Sequence, residues 1–132
     1  MRVYRESDKA VDWVYALYVV HTVFETVLGL MKMRGTYAGV TMALGAEKFA
    51  RHHGVALLAL AALGGEVLRR KLCHTTTGEV ASSALTVFHA GAAAVMMHAA
   101  AFKTVALHVP FAVGFARHAW QSQHTPARSL AP

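Results

Sequence analysis

The sequence predicts an all-α protein, an integral membrane four-helix up-down bundle formed by one domain over residues 1–132. Three observations point there. Hydrophobic residues make up 55% of the chain and charged residues only 15%, against roughly a quarter charged in an ordinary soluble domain. The apolar residues gather in runs long enough to cross a bilayer, and Lys and Arg fall in short clusters between those runs. The intervening segments are short, which joins neighbouring helices antiparallel.

The lead-in MRVYRESDK is polar and is expected to be solvated. The first helix is expected at about residues 10–31, AVDWVYALYVVHTVFETVLGLM, which at about 1.5 Å per residue reaches roughly 33 Å. A secretory signal would be shorter and would not carry Asp12, His21 and Glu25 in its apolar part, so this segment reads as mature structure. Residues 32–46 contain three glycines and read as a connector. A second helix at about 47–70 starts with the amphipathic EKFARHHG, continues through VALLALAALGGEVL and ends on Arg69, Arg70 and Lys71. Cations at that end suit both a helix C-terminus and a membrane edge.

CHTTTGE reads as a loop, with Thr77 or Gly78 preceding a third helix at about 80–102 and Glu79 supporting its first turn. Val80 to Phe102 holds no Asp, Glu, Lys or Arg, and its Ala, Gly and Ser content lets helix backbones approach closely. A fourth helix at about 103–121 contains Pro110 and is expected to kink there. Between the third and fourth helices the sequence carries no turn signal beyond Lys103. The tail 122–132 is expected to be exposed and mobile.

Four spans place both termini on one side. Eight of the 13 Lys and Arg residues then lie on that side, the expected positive side. A net charge of +6 raises nucleic acid as a partner, but the cations build no single face and no nucleic-acid partner is expected. The single cysteine, Cys73, excludes a disulfide scaffold and a Cys-based zinc or iron–sulfur site.

His21 and Glu25 stand four apart, share a helix face with Tyr18, Thr22 and Gly29, and should point into the bundle or a partner, since an ionisable group facing lipid is costly. The pair reads as a structural contact, a catalytic or ligand-binding pair, or a subunit contact. Nine histidines is a high number, and an up-down bundle brings Glu25, His52, His53, His98 and His108 toward one layer. Glu25, His53, His98 and His108 are candidate ligands of a divalent metal. His21 and His89, at similar depth, are the candidate axial pair for a b-type haem. As an alternative, the histidines serve as interfacial polar groups beside Trp13, Tyr15, Tyr18 and Trp120. Glu66 is expected to pair with Arg69 and Arg70, and Arg51, His52, Arg69, Arg70 and Lys71 are candidate lipid-headgroup contacts.

The string HTVFE, His21 to Glu25, resembles a fragment of the emopamil-binding, EXPERA-type membrane proteins. The resemblance implies a small helical bundle and, as in some members, sterol isomerisation through a carbocation-like state. It carries over to His21 and Glu25 alone and does not extend to the family's later acidic and aromatic motifs in residues 79–132.

With no catalytic motif legible, the expected role is a non-catalytic accessory subunit that packs against lipid and partner helices. By analogy its place is an energy-transducing membrane, mitochondrial or bacterial inner. A small membrane enzyme or cofactor carrier built on the His/Glu layer is the alternative, and a soluble helical bundle is the third reading.

Overall fold

The computed structural model describes residues 12–37, 40–41 and 45–124. The expected lead-in 1–9 and all but the start of the tail lie outside them. Among the described residues four helices carry the fold: α1 Trp13–Met33, α2 Ala46–Arg69, α3 Thr76–His98 and α4 Phe102–His124. Between α1 and α2, β1 (Thr36–Tyr37) and β2 (Val40–Thr41) pair antiparallel, Thr36 opposite Thr41 and Tyr37 opposite Val40. This small pair of strands lies within the expected connector of residues 32–46.

The helix ends follow from local chemistry. Asp12 caps α1, its Oδ1 accepting from the amides of Val14 and Tyr15 at 3.1 Å, so the helix begins at Trp13 instead of Ala10. α3 begins four residues before the expected Val80, because Thr75, not Thr77 or Gly78, is the N-cap and accepts from the Gly78 amide. At the far end of α2, Lys71 takes φ 56°, its amide bonding Leu68 O while the Leu72 amide reaches Val67 O. α3 ends the same way, with Ala100 at φ 54°, its amide on Met97 O and the Ala101 amide on Met96 O. Both are left-handed helix stops of the kind glycine usually occupies. Ala100 therefore marks the boundary between α3 and α4 for which the sequence carried no turn signal. Helix α4 continues through Pro110 and ends at His124, three residues beyond the expected Gln121.

α1 packs closely on α2 and α3 on α4, and the two hairpins meet through α2 against α3 and α1 against α4. α1 and α3 therefore lie on one diagonal and touch through long side chains. Glycine makes the α1–α2 approach possible: a Cβ on Gly54 would lie 2.9 Å from Gly29 O and 3.0 Å from the Met33 amide nitrogen. The start of α1 and the end of α4 share one end of the bundle, where Arg117 lies 5.1 Å over the Trp13 ring.

The interior has three levels. Val14, Tyr18, Val67, Cys73, Ala81, Leu85 and Phe115 form an apolar core toward the start of α1. A polar layer of His21, Glu25 and His89 follows. Beyond it, toward the end of α1, lies a cavity of about 230 Å³ whose lining includes Phe24, Glu25, Leu28, Lys32, His53 and His108.

Large apolar side chains are exposed along the helices. Val23 is 59% exposed, Val87 74% and Val113 62%, while His21, Glu25 and His89 are 0% exposed. α1 and α3 are long and apolar enough to cross a membrane. α2 and α4, which carry Lys48, Arg51, Glu66 and Arg69 or Lys103 and Arg117, are more polar along their length, so two of the four expected spans meet that criterion.

Candidate functional site

Helical periodicity builds the site. On α1, Val14, Tyr18, His21, Glu25 and Gly29 recur at spacings of three and four and form the buried stripe. On α3, Ala81, Ser82, Leu85 and His89 do the same, and on α4 Val105, His108, Phe115 and His118. The polar stripe of α1 points into the bundle.

Glu25 stands between two imidazoles. Its Oε1 lies 3.9 Å from His21 Nε2 and 3.8 Å from His89 Nε2, all three side chains being sealed from the surface. The His21 and His89 rings meet edge to face with centroids 5.0 Å apart. Phe111 stacks on His89 at 5.1 Å, and Phe115 meets His21 edge-on at 5.1 Å. Within this apolar collar, both Glu25 oxygens, both His21 nitrogens and His89 Nε2 have no hydrogen-bond partner among the described residues. A buried polar group left unpaired costs about 1–3 kcal/mol, more when charged, so this layer is expensive as it stands.

His89 is held from its other side. Its Nδ1 lies 3.0 Å from His108 Nδ1, so one ring donates and the other accepts. Further along the cavity the Lys32 ammonium donates to His53 Nδ1 at 2.9 Å.

A second polar chain crosses the apolar core. The Tyr18 hydroxyl donates to Gly78 O at 2.9 Å, which leaves it to accept from Ser82 Oγ at 2.8 Å. Ser82 Oγ in turn accepts from His118 Nδ1 at 2.7 Å. Each hydroxyl has one proton, so the chain runs in one direction, from His118 to Ser82 to Tyr18 to Gly78 O. Gly78 has no substitute here: a Cβ would fall 2.3 Å from Leu72 O.

The sequence-predicted residues divide between these places. His21, Glu25 and His89 come together in one cluster, joining one member of the expected metal set to both members of the expected haem pair. His108 stands behind His89, and His53 lies across the cavity on Lys32. His98 is exposed in the last turn of α3 and does not join them. Among the described residues, His21, Glu25 and His89 form a group of three whose ligand atoms all lie within 4.8 Å of one another, close enough to hold a metal ion.

The headgroup candidates are all exposed, and four of the five are engaged locally. Arg51 pairs with Glu47 and His52 bonds Lys48 O at 2.8 Å, while Arg69 holds Glu66 at 2.6 and 2.7 Å and Arg70 also pairs with Glu66. Lys71 supplies the left-handed stop of α2.

His118 and Lys32 escaped the sequence reading. His118 was detectable, since it continues the buried face of His108, Phe111 and Phe115 at helical spacing. Lys32 had no such signal, because a cation in the last turn of a helix has an adequate dipole explanation of its own.

At the end of the bundle where α1 starts, His74 Nε2 lies 2.6 Å from Asp12 Oδ2. Partial burial alone would raise the Asp12 carboxyl, but the His74 hydrogen bond and the amides of Tyr15 and Val14 outweigh it and hold the carboxyl below its usual range. Burial, with the Asp12 charge nearby, pushes the Cys73 thiol up, which makes it a poor nucleophile.

The chain matches no protein-family profile, no curated protein and no solved structure.

Proposed function

We propose that the chain is an integral membrane four-helix bundle that serves as a subunit of a larger membrane assembly, with lipid and partner helices covering its outer surface. The observation that carries this reading is an exposed apolar surface around a buried polar layer. Val23 on α1, Val87 and Val95 on α3 and Val113 on α4 face outward, while His21, Glu25, Ser82, His89, His108 and His118 face inward. In water that arrangement leaves apolar area unburied and polar groups desolvated, two costs of the same sign. In hydrocarbon the apolar exterior is matched to its solvent, and ionisable groups inside a bundle are in their usual place. α1 and α3 enter as apolar spans, and α2 and α4 accompany them by packing, with their charged ends at the membrane edges.

The outward face of α3 supports a partner. Ser83, Ala90, Gly91 and Ala94 are exposed along it, and a Cβ placed on Gly91 meets nothing within 4 Å. Membrane helices associate through such small-residue faces.

Extraction of native membrane in mild detergent tests this. The chain is expected to copurify with a stoichiometric polypeptide, and Gly91→Trp should release that polypeptide while the bundle keeps its helicity. A lone monomer with no stoichiometric companion contradicts the reading.

A further inference from the structure

We propose that His21, Glu25 and His89 are the ligands of a divalent transition-metal ion at mid-depth in the bundle, with a remaining coordination position opening into the adjoining cavity. Three independent features carry this.

The donor atoms already surround a common point. Glu25 Oε1 lies 3.9 Å from one imidazole Nε2 and 3.8 Å from the other, and the three ligand atoms fall within 4.8 Å of one another. Ligands held about 2.0–2.2 Å from a tetrahedral ion stand roughly 3.3 Å apart, so a modest inward rotation of the carboxylate and the two rings closes the shell. Among the described residues these same atoms lack any hydrogen-bond partner although their side chains are 0% exposed, and an ion satisfies them together.

The surroundings of His89 are those of a metal ligand. A ligating histidine usually donates its second ring N–H to a neighbouring acceptor, which fixes the tautomer and aims the other nitrogen at the ion. With His108 Nδ1, 3.0 Å from His89 Nδ1, as that acceptor, His89 Nε2 turns its lone pair to the ion position beside Glu25. The rings of Phe111 and Phe115 pack against the two imidazoles and hold them in place.

The donor set selects the class of ion. Two imidazoles and one carboxylate suit zinc or ferrous iron and leave positions open, whereas calcium and magnesium prefer all-oxygen shells. Glu25 also lines the cavity of about 230 Å³, so the open position has room for a water or a small oxygen-donor ligand. This inference holds whether lipid or water surrounds the bundle, so its failure leaves the membrane reading untouched.

The test uses the full chain purified in mild detergent. Elemental analysis as isolated should find one zinc or iron per chain. After chelation, titration with Co²⁺ should give visible ligand-field bands that saturate at one ion per chain, with Zn²⁺ displacing it and raising the melting temperature. Glu25→Gln and His89→Ala should each abolish the bands, and His108→Ala should weaken binding about 10- to 100-fold. Replacing the exposed His98 and His124 by Ala should change nothing. Should Glu25→Gln lose its helicity, His108→Ala, which touches no ion, carries the test. The proposal is overturned if the chelated chain binds neither Co²⁺ nor Zn²⁺, or if natively helical Glu25→Gln and His108→Ala bind as tightly as the parent; a buried water then bridges the three side chains.

Discussion

The Nδ1 atoms of His89 and His108 lie 3.0 Å apart across the α3–α4 interface, so each ring dictates the tautomer of the other. That contact links the polar layer to the cavity wall, because His108 lines the cavity and His89 faces Glu25.

Replacing His108 by Ala therefore does more than trim a side chain. His89 Nδ1 loses its partner in the interior, and the bundle should lose about 1–3 kcal/mol of stability. Unfolding of the detergent-solubilised chain measures this. Replacement of the exposed His98 should cost less than about 0.5 kcal/mol.

The chain from His118 through Ser82 and Tyr18 to Gly78 O should behave as one unit. Tyr18→Phe and Ser82→Ala each interrupt it, at roughly 1–2 kcal/mol apiece, and the double variant should cost clearly less than their sum. A double-mutant cycle on equilibrium unfolding reads the difference; strict additivity would show that the bonds act separately.

Ala100 holds φ 54°, a conformation that burdens any residue with a Cβ. Ala100→Gly should stabilise the chain by roughly 0.5–1 kcal/mol, unlike glycine in the body of a helix, which destabilises by a similar amount. A rise in melting temperature confirms the left-handed stop between α3 and α4, and a fall argues for continuous helix there.

Acid should loosen the end of the bundle where α1 begins. The Asp12 carboxyl is held below its ordinary value of 3.8, so its contribution is fully present above that pH and disappears as the pH falls through the lowered folded value. Asp12→Asn should melt below the parent near neutral pH, and the gap should close as the solution is acidified past 3.8. A gap constant with pH would remove the charge of Asp12 from the account.

Much of this architecture is legible in the chain itself, and the parts that are not have physical causes. The three- and four-residue recurrence of Tyr18, His21, Glu25 and Gly29 marks a buried face because α-helical geometry stacks those positions. The pairing of Glu66 with Arg69 and Arg70 is equally local. The α3–α4 boundary was hidden because alanine fills a left-handed position where glycine is the readable sign. The grouping of Glu25 with His21 and His89, apart from His53 and His98, depends on how α1 and α3 rotate about their axes across the bundle diagonal. Depth along a helix can be counted from sequence, but rotation against a diagonal neighbour is set by packing, including the Gly29–Gly54 approach of α1 to α2.

The central claim is that hydrocarbon covers the valine-rich exterior of this bundle. Alkaline carbonate washing of membranes from cells expressing the full chain tests it most directly. The account predicts that the chain stays in the sedimented membranes together with integral markers; its release into the supernatant with the peripheral proteins would contradict the account.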